Sequence, residues 1–149
     1  MGTKHQGTAA EKRVLDTYIK LRRAVNALGL REGEVMRGAG LTESQFGALE
    51  ALRHLGPLCQ RELAAKVLKS AGNMTTVVDN LEKRGLVERR RKGDDRRVVT
   101  VHLTTSGEQL VRKVFPMVVD ALVNAFSVLS ARDQNQLATL CRRLGTAEA

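Results

Sequence analysis

Residues 70–107 read SAGNMTTVVDNLEKRGLVERRRKGDDRRVVTVHLTTSG. Met74, Val77, Val78 and Leu81 recur at i, i+3, i+4 and i+7, the spacing of one buried helical stripe. Ser70 is a good N-cap for a helix from about Ala71 to Arg84, and Gly85 stands where a C′ glycine belongs. The period then changes. Leu86-Val87 leads into Glu88–Arg91, Lys92-Gly-Asp-Asp95 makes a turn, and Val99, Val101 and Leu103 alternate with Thr100 and His102 as strand residues do. A polar helix beside a cationic hairpin suits duplex DNA. The helix can enter a major groove and the hairpin can reach a neighbouring minor groove.

Working outward, Thr42-Glu-Ser-Gln45 is a capping box, with Leu41 placed as its staple and Phe46, Leu49, Leu52 and Leu55 as the apolar side of the helix it opens. Gly56-Pro57 stops that helix, and a short one follows from about Gln60 to Leu68. Upstream, Val14, Tyr18, Leu21, Val25 and Leu28 form one stripe of a helix that begins near Ala9, is weakened by Gly29 and Gly33, and ends around Gly38 and Gly40. Downstream, Thr104 caps a long apolar helix in which Pro116 predicts a kink. Ser130-Ala-Arg-Asp133 caps a last helix running to about Leu144.

The fold class expected is mainly α with a small β-hairpin wing. A winged helix-turn-helix over 41–104 is flanked by dimerisation helices at 1–40 and 105–149. The terminal stripes are too apolar to stay wet in a chain of 149 residues, so a homodimer in which they interlock is expected.

The net charge of +9 is concentrated. Residues 60–103 hold eleven Lys and Arg against six acids, a local excess of five in under a third of the chain. Such a patch attracts polyphosphate and releases counterions on binding. Aromatics are only 3%, too few for the stacking platforms of a single-strand binder. Cys59 and Cys141 fit no metal or redox spacing, and His5, His54 and His102 show no ligand spacing. No apolar run reaches membrane length, so a cytoplasmic protein without membrane contact is expected. No nucleophile–base pair, phosphate loop or metal motif points to an enzyme, and no cofactor or metal is implied.

The DNA-contacting candidates follow from this layout. Ser70, Gly72, Asn73, Thr75 and Thr76 face outward near the N-terminus of the second helix of the motif. Gly72 permits close backbone approach, Asn73 can read adenine, and the threonines offer hydroxyls and methyls. At the tip, Arg96 and Arg97 are candidates for minor-groove insertion, with Asp94 placed to orient the Arg96 guanidinium. Arg89, Arg90, Arg91 and Lys92 would add sequence-independent affinity, and Arg84 joins the set at the helix end. Cys59, at the start of a helix and near Arg61, is a candidate thiol switch, weighed against a small side chain in a poor cap. Cys141 reads as packing among Leu137, Leu140 and Leu144. A nucleoid protein coating DNA without sequence choice is the alternative, but Asn73, Thr75 and Thr76 are more than Lys and Arg coating requires.

The chain resembles the MarR family of bacterial transcription regulators. The resemblance lies in Leu41-Thr42, Gln60-Arg-Glu-Leu-Ala64, Val77-Val-Asp-Asn-Leu-Glu82, Gly85-Leu-Val87, Asp94-Asp-Arg-Arg97 and Val101-His-Leu-Thr-Thr-Ser-Gly107. It implies a homodimer on a pseudo-palindromic operator of double-stranded DNA, repression of nearby genes, and release by a small phenol or aromatic acid. An effector site is expected near Tyr18, Phe46, Leu49 and Phe115. Cys59 stands where relatives commonly place a Thr or Ser cap. The family's peroxide-sensing branch usually carries its reactive Cys in the first helix, which here has none.

Overall fold

A computed structural model describes residues 4–67 and 71–146, without the side chains of Ala71, Lys92 and Arg96. The order is α1 (Ala9–Gly38), α2 (Glu43–Leu55), β1 (Leu58–Cys59), α3 (Gln60–Val67), α4 (Ala71–Lys83), β2 (Val87–Lys92), β3 (Asp95–Leu103), α5 (Thr105–Phe126) and α6 (Ala131–Gly145). The mainly helical winged helix-turn-helix class read from the sequence is the one observed. The sheet has three strands, however, in the order β1-β3-β2, all antiparallel. The added strand is the two-residue β1, pairing Leu58 with Val101 and Cys59 with Thr100. Leu68, Lys69 and Ser70, assigned to a helix end, a turn and an N-cap, lie outside the described residues.

Local chemistry sets the helix ends. Thr8 and Glu11 form a reciprocal cap on α1, the Thr8 N–H donating to Glu11 Oε2 at 2.7 Å and the Glu11 N–H to Thr8 Oγ1 at 3.2 Å. Those bonds hold the Glu11 carboxyl below its ordinary pKa. α1 continues through Gly29 and Gly33 unbroken. The Thr42–Gln45 capping box is formed in both directions. Gly85 takes φ +69°, a left-handed value only glycine adopts without strain, and the Leu86 N–H reaches back to the Leu81 carbonyl at 3.0 Å. Ser130 Oγ accepts from the Asp133 N–H at 3.2 Å, opening α6.

The chain divides into two compact units, residues 32–118 and residues 1–31 with 119–149. In the first, Leu49, Leu63, Met74, Val78, Leu81 and Val111 are wholly buried, with Val87 and Val101 contributing from the sheet. Burying each such side chain is worth about 1.5–3 kcal/mol. Arg53 Nε donates to Glu108 Oε1 at 3.2 Å, tying α2 to the start of α5. The Thr104 hydroxyl donates to the Gly85 carbonyl at 2.6 Å and accepts the Gly107 N–H at 3.1 Å. Gly107 is obligatory there, because a Cβ would lie 2.0 Å from the Leu86 carbonyl oxygen.

The second unit is different in kind. Among its described residues only Ala125 is a buried hydrophobic. Val14, Tyr18, Val25, Leu30, Val119, Val123, Val128, Leu137, Leu140 and Leu144 are all exposed. Cys141, assigned to packing from its leucine neighbours, is exposed with them in the single chain. The pattern identified an apolar stripe, and within the described residues of this unit much of it stays exposed.

Candidate nucleic-acid interface

Three residues decide which way α4 faces. Met74, Val78 and Leu81 are 0% exposed, so the opposite face must look outward. Gly72, Asn73, Thr75 and Thr76 are exposed on it. A Cβ built on Gly72 would meet no atom within 4 Å, so the approach to the backbone there is open. The structure brings these four candidates together in the first turns of the helix.

A polar brace holds the helix, and the sequence reading missed it. Arg89, on β2, donates from Nη2 to Asp79 Oδ1 at 2.6 Å and from Nη1 to Glu82 Oε1 at 3.1 Å. Its backbone N–H donates to Glu82 Oε2 at 2.9 Å. The same guanidinium reaches Gln60 Oε1 at 3.5 Å, and Gln60 Nε2 donates to Thr75 Oγ1. One residue at the start of α3 and one on β2 therefore form a connected brace along α4. The Arg89 side chain is 25% exposed, so solvent screens the pairs, and each contributes about 1 kcal/mol at most. Their value is geometric: an arginine fork between two carboxylates fixes direction as well as distance. The Arg89 guanidinium is thereby engaged within the chain. The signal in the sequence was Asp79 and Glu82, one helical turn apart on the face toward the first wing strand.

At the wing tip, Lys92 pairs with Asp95 across a two-residue loop in which Gly93 has φ +58°. The preceding pair is Arg91 with Val99, so Arg96, Arg97 and Val98 bulge from β3 with no partner on β2. A bulge re-aims side chains, and here it holds the exposed Arg97. Asp95 Oδ1 accepts the Arg97 N–H at 3.0 Å, fixing the bulge backbone. An acid thus does have a structural task at this tip. The pairing expected between Asp94 and Arg96 falls on a side chain outside the description. Arg91, Asp94 and Arg97 are exposed. Arg90 is paired with Glu88 on the outer face of the sheet. Arg84 donates from Nη1 to the Gly40 carbonyl at 2.7 Å.

The other candidates are more scattered. Cys59 is half-buried at the position preceding α3, and its N–H donates to Glu62 Oε2 at 2.8 Å, half of a capping box. Phe46 and Leu49 are core, 4% and 0% exposed. Phe115 meets the His54 ring edge-on at 5.3 Å between centroids. Tyr18 belongs to the other unit, with its hydroxyl accepting from Arg22 Nη1 at 3.1 Å. An open cavity of about 320 Å³ lies against Gly38, Ala39, Leu110, Lys113, Val114 and Met117. Burial pushes the Glu32 carboxyl above its ordinary pKa, and the like charges of Glu43 and Glu50 push it further. Among the described residues no group of three His, Cys, Asp or Glu is placed to hold a metal, and no helix is long and apolar enough to cross a membrane.

An outward polar helix, braced against a basic bulged hairpin, defines a winged-helix DNA-binding protein. The model of the MarR family matches residues 41–99. An HTH-type transcriptional regulator of Bacillus subtilis, YkoM, is 30% identical over 134 residues, 90% of this chain and 87% of that protein. Sco3205 of Streptomyces coelicolor, a MarR family regulator solved in complex with DNA, superposes with a TM-score of 0.83 at 25% identity, covering 95% of this chain and 90% of that one. BpsR of Bordetella bronchiseptica, whose DNA binding is regulated by 6-hydroxynicotinic acid, superposes at 0.80 with 25% identity over 87% of this chain and 98% of that one. The chain belongs to the MarR family of DNA-binding transcriptional regulators.

Proposed function

We propose that the protein is a homodimeric repressor that reads a pseudo-palindromic operator through α4 and the wing, and that a small aromatic acid releases it. The observation that carries the reading is the pairing of a braced, outward polar face on α4 with an uncovered apolar face on the terminal helices. The first gives one half-site, and the second gives the means of joining two. Residues 41–104 then act as the DNA-binding part, and 1–40 with 105–149 as the dimerisation part. A cytoplasmic location follows from the DNA partner.

Within one half-site, Gly72, Asn73, Thr75 and Thr76 face base edges, and Arg91, Lys92, Arg96 and Arg97 meet phosphates and the minor groove. The cavity beside Lys113 supports the effector reading. Leu110, Val114 and Met117 supply apolar walls, and the Lys113 ammonium can meet a carboxylate. BpsR supplies the precedent of an aromatic acid that regulates DNA binding. An effector there shifts the protein only by its differential affinity for the DNA-competent and released states.

Selection from a random duplex library, followed by titration of variants against the selected site, tests the reading. Arg96→Ala should weaken binding and flatten the slope of log affinity against log salt by about 0.9. Asn73→Ala and Thr76→Ala should erode discrimination more than nonspecific affinity. Unchanged selectivity in every α4 variant would exclude base reading by this helix. Cys59→Ser separates thiol control from ligand control. Loss of a peroxide response with DNA affinity intact would assign the switch to the thiol.

A further inference from the structure

Two helix ends in residues 32–118 are built alike, and one side chain joins them. After α1, Gly40 has φ +71°, its N–H bonds the Arg37 carbonyl at 2.9 Å, and the Leu41 N–H bonds the Met36 carbonyl at 2.9 Å. After α4, Gly85 repeats the pattern, bonding Glu82 at 2.9 Å while Leu86 bonds Leu81 at 3.0 Å. Met36, Leu41, Leu81 and Leu86 are all buried, so both caps are anchored in the core. Arg84 sits in the second cap, immediately before its glycine. It donates to the carbonyl of Gly40, the glycine of the first, at 2.7 Å across 44 positions of sequence. Both helices end in partial negative charge, and a guanidinium between them is favoured by each.

We propose that Arg84 is a positioning residue that latches the recognition helix to the end of α1, instead of a DNA contact. The proposal rests on the operator reading above. The reading residues end at Thr76, eight residues or about 12 Å of helix from Arg84, so the latch acts at the end of α4 away from the bases. α1 carries Val14, Tyr18, Val25 and Leu30 exposed along its earlier turns, the surface a second copy would cover. Fixing α4 to the end of α1 therefore restrains the recognition helix against the last turn of a helix whose earlier turns carry that surface. Two helices held this way accept one half-site separation, about 34 Å, and reject others.

Two measurements test this. In the first, Arg84→Ala is compared with wild type on the selected operator, on the same operator lengthened by two base pairs, and on a single half-site. Wild type should lose about tenfold or more on the lengthened site, because simultaneous engagement fails when the geometry forbids it. Arg84→Ala should lose much less there while keeping its half-site affinity, and Arg84→Lys, which retains a donor for Gly40, should behave as wild type. A fall in half-site affinity with a salt slope flatter by about 0.9 would make Arg84 a phosphate contact and overturn the proposal. An unchanged spacing penalty in Arg84→Ala would also overturn it.

The second measurement needs no operator. Spin labels at Glu34 and Asn80, in a Cys59→Ser, Cys141→Ser background diluted with unlabelled chain, report the α1–α4 distance within one chain. Arg84→Ala should broaden a distribution that is narrow in wild type, and an unbroadened one overturns the latch. If the library yields no preferred sequence, the operator reading fails, and the spin-label result still decides whether Arg84 holds α4.

Discussion

Residues 32–118 and the terminal unit solve opposite problems with the same kinds of residue. The first hides its aliphatic side chains and exposes polar ones that are held in place by other polar groups. The second hides almost nothing of its own: among its described residues, one alanine is buried and ten large apolar side chains are exposed. Hydrophobicity alone therefore does not say where a core is. The stripe on α4 and the row on α6 look alike in sequence, but only the first is buried in the single chain. The difference is that one unit buries a core of its own, while the other leaves a row of apolar side chains exposed in the single chain.

Substitutions should break the two units in different ways. The largest effect expected is that of Gly107→Ala, which forces a Cβ to within 2.0 Å of a backbone oxygen. Because neither the oxygen nor α5 can yield cheaply, unfolding in urea should show a loss of about 3 kcal/mol or more. Leu49→Ala, inside the same core, should cost about 2–5 kcal/mol by the same measurement. Leu140→Asp should leave that stability of the single chain nearly untouched, since Leu140 is already 48% exposed. It should instead raise the dimer dissociation constant by about a hundredfold, equivalent to roughly 2.7 kcal/mol at the interface. A Leu140→Asp chain that associates like wild type would show that α6 is not the shared surface.

Arg89→Ala sharpens the comparison within the first unit. It strands Asp79 and Glu82 beside α4 and should cost about 1 kcal/mol in unfolding. Operator affinity should fall about tenfold with an unchanged salt slope, because orientation is lost and no phosphate contact is. A flattened slope would mean that Arg89 leaves its brace to touch DNA.

The smallest effect concerns pH. Glu32 titrates above its ordinary value because burial, then Glu43 and Glu50, disfavour its charge. Between the unfolded and the raised folded pKa the native state binds more protons, so stability falls as pH rises through that window. Glu32→Gln should therefore be more stable than wild type at neutral pH. The gain should vanish in acid below the ordinary carboxylate range, where both states of the wild type are protonated. A thermal melt series across pH checks the sign.

These contrasts also explain what the sequence disclosed. Thr42–Gln45, Gly85 and Ser130–Asp133 were legible because a cap is written within four residues. The Thr8–Glu11 cap is written equally locally and could have been read from the same pattern. The outward set Gly72, Asn73, Thr75 and Thr76 followed from the position of its buried complement. β1 was not legible, since two residues carry no period and acquire strand geometry only from Val101 and Thr100, some forty positions on. Partners on other elements likewise hid the tasks of Gln60, Arg84 and Arg89. Each is a basic or polar residue in a basic stretch, and only the fold distinguishes a brace from a contact. Cys141 shares a surface with Leu137, Leu140 and Leu144, as the stripe suggested, and that surface is exposed in the single chain.

The central claim is that one unit reads DNA and the other pairs two copies to do so. Sedimentation equilibrium of the protein on a duplex bearing the selected operator, at increasing protein-to-DNA ratios, measures it directly. The account predicts a complex of two chains per duplex that stays at two when protein is in excess at physiological salt. A mass that climbs in steps of one chain until the duplex is covered would contradict it, and would mark a protein that coats DNA without pairing.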